Sequence, residues 1–168
     1  MSGPLLSITV YGTPVGQGAI SHNRRGRGYH SNGAKLLPWR ARVAAAAMEA
    51  AGTHRHIPPI TPGSRPSGPC QVCKLRKARH GRFDGALWIE IEILLPPVAS
   101  APGRRWPTTR SSYDWDHLAR AVCDALGEAS IWNDDSQIVS GLLSKRYAGL
   151  NDPQERPGAL VRVWRADS

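Results

Sequence analysis

Strand-like patterns occur in four segments of this 168-residue chain, and two of them, at 6–11 and 86–97, alternate apolar and polar residues. An alternation with period two is typical of a strand that buries one face in a core. It is clearest over residues 86–97, where every second residue from Leu87 to Ile93 is apolar and Pro96 ends the strand. The other three segments are 6–11, 137–147 and 158–166. The pattern therefore predicts four strands.

Two further segments carry apolar residues at helical spacing. Residues 37–51 are rich in alanine, the strongest helix former, and Gly52 follows where a helix end favours glycine. Residues 115–126 place their apolar side chains, beginning with Leu118, on one face. Together the elements predict an α/β (α+β) fold, a mixed sheet of about four strands with two main helices, in a single domain over residues 1–168.

Two segments show neither period. Residues 52–85 are rich in proline, glycine and basic residues, and we interpret them as an insertion within the domain. Residues 21–33 hold three arginines within four positions and predict an exposed basic hairpin or arm. Neither segment is expected to contribute to the main sheet.

The charge of the chain indicates a polyanionic partner. The formal net charge is +9 and the pI is about 10.2. Such an excess favours binding to DNA or RNA, and a generally basic surface is the alternative. The sequence has no apolar run long enough to span a bilayer and no signal-peptide pattern at its start, so we expect an intracellular, cytoplasmic protein.

Carboxylates are concentrated between residues 114 and 135, although the chain has only 13 acidic residues against 22 lysines and arginines. Asp114 and Asp116 open the second predicted helix, and Asp134 and Asp135 directly precede a strand. Like charges brought together there would repel, and a divalent cation removes that cost. Because oxygen ligands suit Mg²⁺ or Mn²⁺, we predict a metal site at this point of the chain.

Arg120 lies one helical turn after Asp116 and one turn before Asp124, on the same face of the helix. It is placed either to bind a phosphate oxygen near the metal or to pair with one of these aspartates. The alternative for the carboxylates is a structural role, with Asp114 or Asp116 as a helix N-cap and Asp134 in a turn.

The insertion contains a C-x-x-C at residues 70–73, which is the spacing of two zinc ligands. Two more ligands would complete a tetrahedral site, namely one histidine of the pair at 54 and 56 together with the histidine at 80. The candidate zinc ligands are Cys70, Cys73, His54, His56 and His80. Two free thiols in a flexible loop remain the alternative. Cys123, in the second helix, is predicted to be a core residue.

Residues 114–126 and 134–137 read DWDHLARAVCDAL and DDSQ. They resemble the pattern of RusA-like Holliday junction resolvases, which is D-x-D-N-x-x-K-x-x-x-D-A-L followed by D-D-x-Q. The GTPVGQG segment near the N-terminus and the PWR at the first helix are similar to phage-borne members. The resemblance covers most of the chain outside residues 52–85.

The resemblance implies a Mg²⁺-dependent endodeoxyribonuclease, a homodimer that resolves four-way DNA junctions by paired nicks in recombination and repair. It places the essential carboxylates at Asp114, Asp116 and Asp135, with Asp134 beside them as a further candidate metal ligand. The lysine of the family is Arg120 here, and its asparagine is His117. Arginine binds phosphate through two donors but stays charged, so it cannot take part in proton transfer.

Basic side chains outside the acidic motif are expected to contact phosphates. They are Arg24, Arg25, Arg27, Lys74, Arg76, Lys77, Arg104, Arg105 and Lys145. Trp106 follows two of them, and it is expected either to approach an opened junction or to pack against the domain.

Two other functions remain open from the sequence. The chain can be a non-catalytic DNA-binding module that uses the basic arm and a zinc-stapled loop. Alternatively, it can be a nuclease of the same fold that acts on flaps or replication forks.

Overall fold

The computed structural model describes residues 3–22, 28–100, 102–150 and 152–166. The strands are β1 (Leu6–Tyr11), β2 (Ile20–His22), β3 (Gly28–His30), β4 (Leu87–Leu95), β5 (Ile138–Tyr147) and β6 (Gly158–Arg165). The helices are α1 (Gly33–Ala51) and α2 (Trp115–Glu128). None of the helices in the described ranges is long and apolar enough to cross a bilayer.

The main sheet has four strands in the order β1-β6-β4-β5. Only β4 and β5 pair in parallel, and the other neighbours are antiparallel. Two parallel neighbours need a crossover connection, and here the segment that contains α2 forms it between β4 and β5. The predicted mixed four-stranded sheet with two helices is confirmed.

The alternation seen in the sequence is the alternation of burial. In β1 every second residue from Leu6 is buried, and in β4 the residues facing the helices are at most 6% exposed. The buried side of α2 is the predicted apolar stripe: Leu118, Ala121, Val122, Ala125 and Leu126. This packing fixes which face of α2 is turned toward solvent.

Helix α1 begins at Gly33, four residues before the predicted start, and Pro38 lies inside it. In this additional turn Leu36 is completely buried. The amide of Leu36 donates to the carbonyl oxygen of Asn32 at 3.0 Å, which closes the first turn of the helix. Tertiary burial therefore extends the helix beyond the alanine-rich segment.

The basic segment at 21–33 contributes to a two-stranded antiparallel ribbon formed by β2 and β3. The ribbon agrees with the predicted hairpin. Arg24, Arg25 and Arg27, expected to contact DNA, lie outside the described residues.

The insertion over residues 52–85 has no helix or strand among its described residues apart from a single 3-10 turn at Lys77–Arg79. Both of its ends are attached to the segment that follows α2. Thr53 Oγ1 donates to the carbonyl oxygen of Ala129 at 2.7 Å, and the amide of Arg82 donates to the carbonyl oxygen of Ser130 at 2.9 Å. The insertion is thereby held close to the acidic turn before β5.

Candidate active site and metal clusters

The first acidic pair lies at the N-terminus of α2. Asp114 is the N-cap by backbone conformation, but its side chain makes no capping hydrogen bond. Asp114, Asp116 and His117 each offer a ligand atom, and these atoms lie within 4.8 Å of one another. Both carboxylates are exposed. The capping interpretation therefore does not describe the Asp114 side chain, and the pair is available to bind a cation.

The turn before α2 holds a strained residue. Tyr113 has φ 58°, a region that a β-carbon disfavours. The Lys145 ammonium donates to the Tyr113 carbonyl oxygen at 2.6 Å and to Ser112 Oγ at 3.3 Å. Lys145, predicted to contact DNA, thus fixes the backbone directly before Asp114.

The glycine-rich loop after β1 packs on the same turn. A β-carbon at Gly16 would come within 2.9 Å of the Tyr113 β-carbon, so glycine permits the close approach. The amide of Gln17 donates to the carbonyl oxygen of His117 at 2.9 Å. The loop that the sequence left without a role therefore helps position the first acidic pair.

The two aspartates of the second acidic pair, Asp134 and Asp135, have different hydrogen-bond partners. Asp134 accepts from the amide of Ser136 at 2.9 Å, and the hydrogen bonds from Ser136 lower the pKa of Asp134. Asp135 accepts from Trp132 Nε1 at 2.7 Å through Oδ1. The turn interpretation therefore fits Asp134, whereas Asp135 keeps a carboxylate oxygen outside that bond.

Gln137 joins this turn to the start of β4. Its Oε1 accepts from the amide of Asn133 at 2.8 Å, and its Nε2 donates to the carbonyl oxygens of Phe83 and Gly85 at 3.0 and 3.1 Å. The glutamine of the D-D-x-Q motif is thus a structural residue that anchors the segment carrying Asp135.

Asp135 lies beside the C-terminal half of α2. A β-carbon at Gly127 would be 3.7 Å from Asp135 Oδ1. Burial raises the pKa of Asp124, Arg40 lowers it, and the charge of Asp135 raises it further. Among the described residues, Asp135 does not join the cluster of Asp114, Asp116 and His117. The carboxylates therefore lie near the two ends of α2, with Asp114 and Asp116 at its start and Asp135 beside its C-terminal half. The exposed Arg120 lies between them along the helix.

A cleft of about 580 Å³ opens between the second acidic pair and the insertion. The residues that line it include Asp124, Asp134 and Asp135 together with Arg55 and Lys77. The sequence assigned no site role to Arg40, the arginine of the PWR segment, or to Glu128. Arg40 binds Asp124 at 3.1 Å and also pairs with Glu128, so it offsets part of the negative charge next to the cleft.

The other basic residues predicted to contact DNA lie on exposed loops. Lys74, Arg76, Arg104 and Arg105 are exposed, as are Lys77 and Arg120. The Arg105 guanidinium lies 4.7 Å from the ring centre of Trp106, which is 51% exposed. Trp106 is therefore not buried in the domain core.

The insertion brings together a second group of metal-ligand side chains. His54, Cys70, Cys73 and His80 offer ligand atoms that lie within 4.8 Å of one another. His56 is outside this set, although its ring packs against His80 with centroids 4.8 Å apart. The structure thus selects His54 between the two histidines that the sequence left open.

The cysteines of the chain differ in their surroundings. Burial raises the pKa of Cys70, but backbone hydrogen bonds at Cys73, Ile57 and Val72 and a hydrogen bond with His54 lower it to about 5. Burial, followed by the charges of Asp135 and Asp124, raises the pKa of Cys123 to about 12. Cys70 therefore favours the thiolate, whereas Cys123 is a protonated thiol packed against the core, as predicted.

Comparison with known proteins gives one family. Residues 71–155 match the family described as endodeoxyribonuclease RusA. The match covers about half of the chain and includes α2, both acidic pairs and β5. No curated protein matches the chain.

Proposed function

The chain belongs to the RusA endodeoxyribonuclease family, and on that premise we propose that it resolves Holliday junctions by paired, metal-dependent nicks. The observation that carries the proposal is the pair of exposed carboxylates at the start of α2, with no capping bond at Asp114. The net charge of +9 favours binding to the DNA backbone. Exposed carboxylates within such a chain can bind a cation next to a DNA phosphate.

The donor set fits a hard divalent cation. Asp114 and Asp116 supply carboxylate oxygens, and Mg²⁺ or Mn²⁺ is the ion that such ligands prefer. An ion held by these two carboxylates would supply Lewis-acid polarisation of the scissile phosphate and charge neutralisation at the leaving oxygen. We keep Asp135 in the catalytic set on the resemblance to RusA-like resolvases. It lies beside Gly127, outside the cluster of Asp114 and Asp116, so in this conformation it does not ligate the same ion. The Trp132 bond fixes Oδ1 and leaves Oδ2 outside that bond. Asp134, engaged by Ser136, supports the turn.

The cationic residues bind and orient the DNA. Arg120, exposed on the helix face between the two acidic pairs, binds a phosphate oxygen and remains charged throughout. Lys77 lines the same cleft as Asp135. Lys145 acts indirectly, because its ammonium holds the strained turn that orients Asp114.

We also propose a homodimer, since paired nicks need two active sites. Strand β5 forms an edge of the main sheet, and its Val139 and Leu142 side chains are 60% and 55% exposed. This edge is our candidate for the dimer surface. Sedimentation equilibrium measures the mass, and Leu142→Glu is expected to shift it toward the monomer.

The proposal is tested by nicking of a synthetic four-way junction with Mg²⁺ or Mn²⁺. Asp116→Asn and Asp135→Asn are each expected to lower the rate by about 10²–10³-fold, the usual effect of removing one group that stabilises transition-state charge. Asp152→Asn, which changes an exposed aspartate in the turn before β6, is the matched control and is expected to cleave normally.

Three results distinguish the alternatives. Cleavage that survives Asp116→Asn would contradict the assigned site. Junction binding with no cleavage by the unmodified protein would instead support a non-catalytic DNA-binding module. Competition with flap and fork substrates separates a junction resolvase from a nuclease of other branched DNA.

A further inference from the structure

The second group of metal-ligand side chains lies in the insertion, apart from the acidic pairs. It contains two thiols and two imidazoles, the donor set of a Cys₂His₂ zinc site. A tetrahedral zinc with bonds of about 2.0–2.3 Å holds its ligand atoms within about 4 Å of one another. The four atoms here all lie within 4.8 Å, and Cys70 Sγ is already 3.5 Å from His54 Nε2. Only a small contraction closes such a site.

The histidine ring of His80 is oriented as a metal ligand would be. Its Nδ1 is 2.7 Å from Ser130 Oγ, while its Nε2 is buried and has no hydrogen-bond partner. A buried polar atom without a partner is unfavourable, and a metal-bound histidine characteristically uses its other nitrogen in a hydrogen bond. A zinc ion on Nε2 accounts for both observations.

The backbone around the two cysteines forms a compact turn. The amide of Cys70 donates to the carbonyl oxygen of Leu75 at 2.8 Å, and the carbonyl oxygen of Cys70 accepts from the amide of Lys74 at 2.9 Å. Lys74 has φ 63°, a conformation that favours glycine. The turn presents Cys70 and Cys73 on the same side, toward the two histidines.

The cluster is connected directly to the turn that carries Asp135. His80 contacts Ser130, and the next residue, Gly81, donates its amide to Asn133 Oδ1 at 2.7 Å. A β-carbon at Gly81 would come within 2.5 Å of the Asn133 nitrogen, so the two segments touch through their backbones. An ion that fixes His80 would therefore fix the position of this turn.

We propose that His54, Cys70, Cys73 and His80 bind one structural zinc ion, which holds the insertion against the turn that carries Asp135. Thiolate ligands favour zinc over the hard cations that suit Asp114 and Asp116, so the two metal sites are chemically distinct. The ion supplies order to an insertion whose described residues contain only a single 3-10 turn.

The first test measures zinc in the purified protein by elemental analysis, with Cys73→Ser and His80→Gln as the variants. The unmodified protein is expected to hold one zinc per chain, and each variant is expected to lose it. Cys123→Ser and His56→Gln change a thiol and an imidazole outside the ligand set, and both are expected to retain the ion. Asp116→Asn is also expected to retain it, which separates this site from the catalytic cation.

The second test begins with hydrogen exchange on the unmodified protein, and this measurement does not depend on the folding of any variant. Zinc is removed with a chelator and then restored, and amide hydrogen exchange is followed over residues 80–83 and 130–137. Removal is expected to increase exchange in both segments, and zinc is expected to restore protection. Ser130→Ala, which removes the partner of His80 Nδ1, is expected to weaken zinc binding about 10–100-fold, whereas Ser111→Ala is not.

The proposal is overturned if the metal-free protein fails to bind zinc in a one-to-one ratio. It is equally overturned if Cys73→Ser and His80→Gln bind zinc as tightly as the unmodified chain. Exchange that is the same with and without zinc would refute the connection to the acidic turn.

Discussion

Replacing Gln137 with alanine removes the side chain that joins the acidic turn to the start of β4. Two of its hydrogen bonds are partly buried, from the Asn133 amide and to the Phe83 carbonyl oxygen. Two more, with the Asp134 amide and the Gly85 carbonyl oxygen, are exposed. Truncation leaves the partly buried partners without a side-chain contact.

The expected loss follows from these four bonds. A hydrogen bond contributes about 0.5–1.5 kcal/mol net to stability. The two exposed bonds contribute least, because water replaces them when the side chain is removed. We therefore expect Gln137→Ala to lower the free energy of unfolding by about 2–3 kcal/mol. Because the same side chain positions the segment with Asp135, we also expect slower junction nicking.

The assay is urea denaturation followed by tryptophan fluorescence at constant metal concentration, since Trp132 is only 2% exposed and reports on this turn. Gln154→Ala is the matched control, because that residue lies in an exposed turn before β6 and is expected to change stability by less than about 0.5 kcal/mol. A loss for Gln137→Ala no larger than that of the control would refute the assigned anchoring role.

Three further predictions follow from other contacts. Trp132→Phe removes the donor to Asp135 Oδ1 and is expected to slow nicking about tenfold, since one hydrogen bond is worth up to about 1.5 kcal/mol. The control Trp164→Phe, in β6, is expected to leave the rate unchanged. Equal rates in the two variants would argue against a role for the Trp132 bond. Hydrogen bonds from Arg146 lower the pKa of Glu155, so this stabilisation is complete above the ordinary glutamate pKa and is lost as the pH falls through the lowered value. Glu155→Gln is therefore expected to cost about 1–3 kcal/mol at neutral pH in urea denaturation, and a difference that persisted unchanged well below about pH 4 would contradict this sign. Lys77→Ala is expected to reduce the slope of log K for junction binding against log salt by about 1, and an unchanged slope would remove Lys77 from the DNA-contacting set.

The sequence predicted the elements well, because periodicity is a local property. The four strands of the main sheet and both helices are confirmed, and the buried face of α2 is the predicted stripe. The start of α1 was predicted four residues too late, since the burial of Leu36, which stabilises its first turn, depends on the rest of the fold. The RusA resemblance is likewise confirmed by the family match over residues 71–155.

The candidate sites were only partly predictable from the sequence. The spacing of Asp114 and Asp116 on one helix start follows from helix geometry, and so does the placement of Arg120. Their relation to Asp135 does not, because that residue follows a turn whose path is set by Gln137 and by the insertion. The assigned catalytic roles therefore remain predictions, to be decided by the nicking assay.

By itself, the sequence determined the elements, the basic character of the chain, the acidic motif of α2 and the C-x-x-C of the insertion. Only the tertiary structure decided that His54 joins the cysteines while His56 does not, that Lys145 holds the turn before Asp114, and that Arg40 faces Asp124. The physical reason is one of range. Spacing within a helix or a tight turn is fixed by backbone geometry, whereas side chains tens of residues apart meet only where the packing of the core brings their elements together.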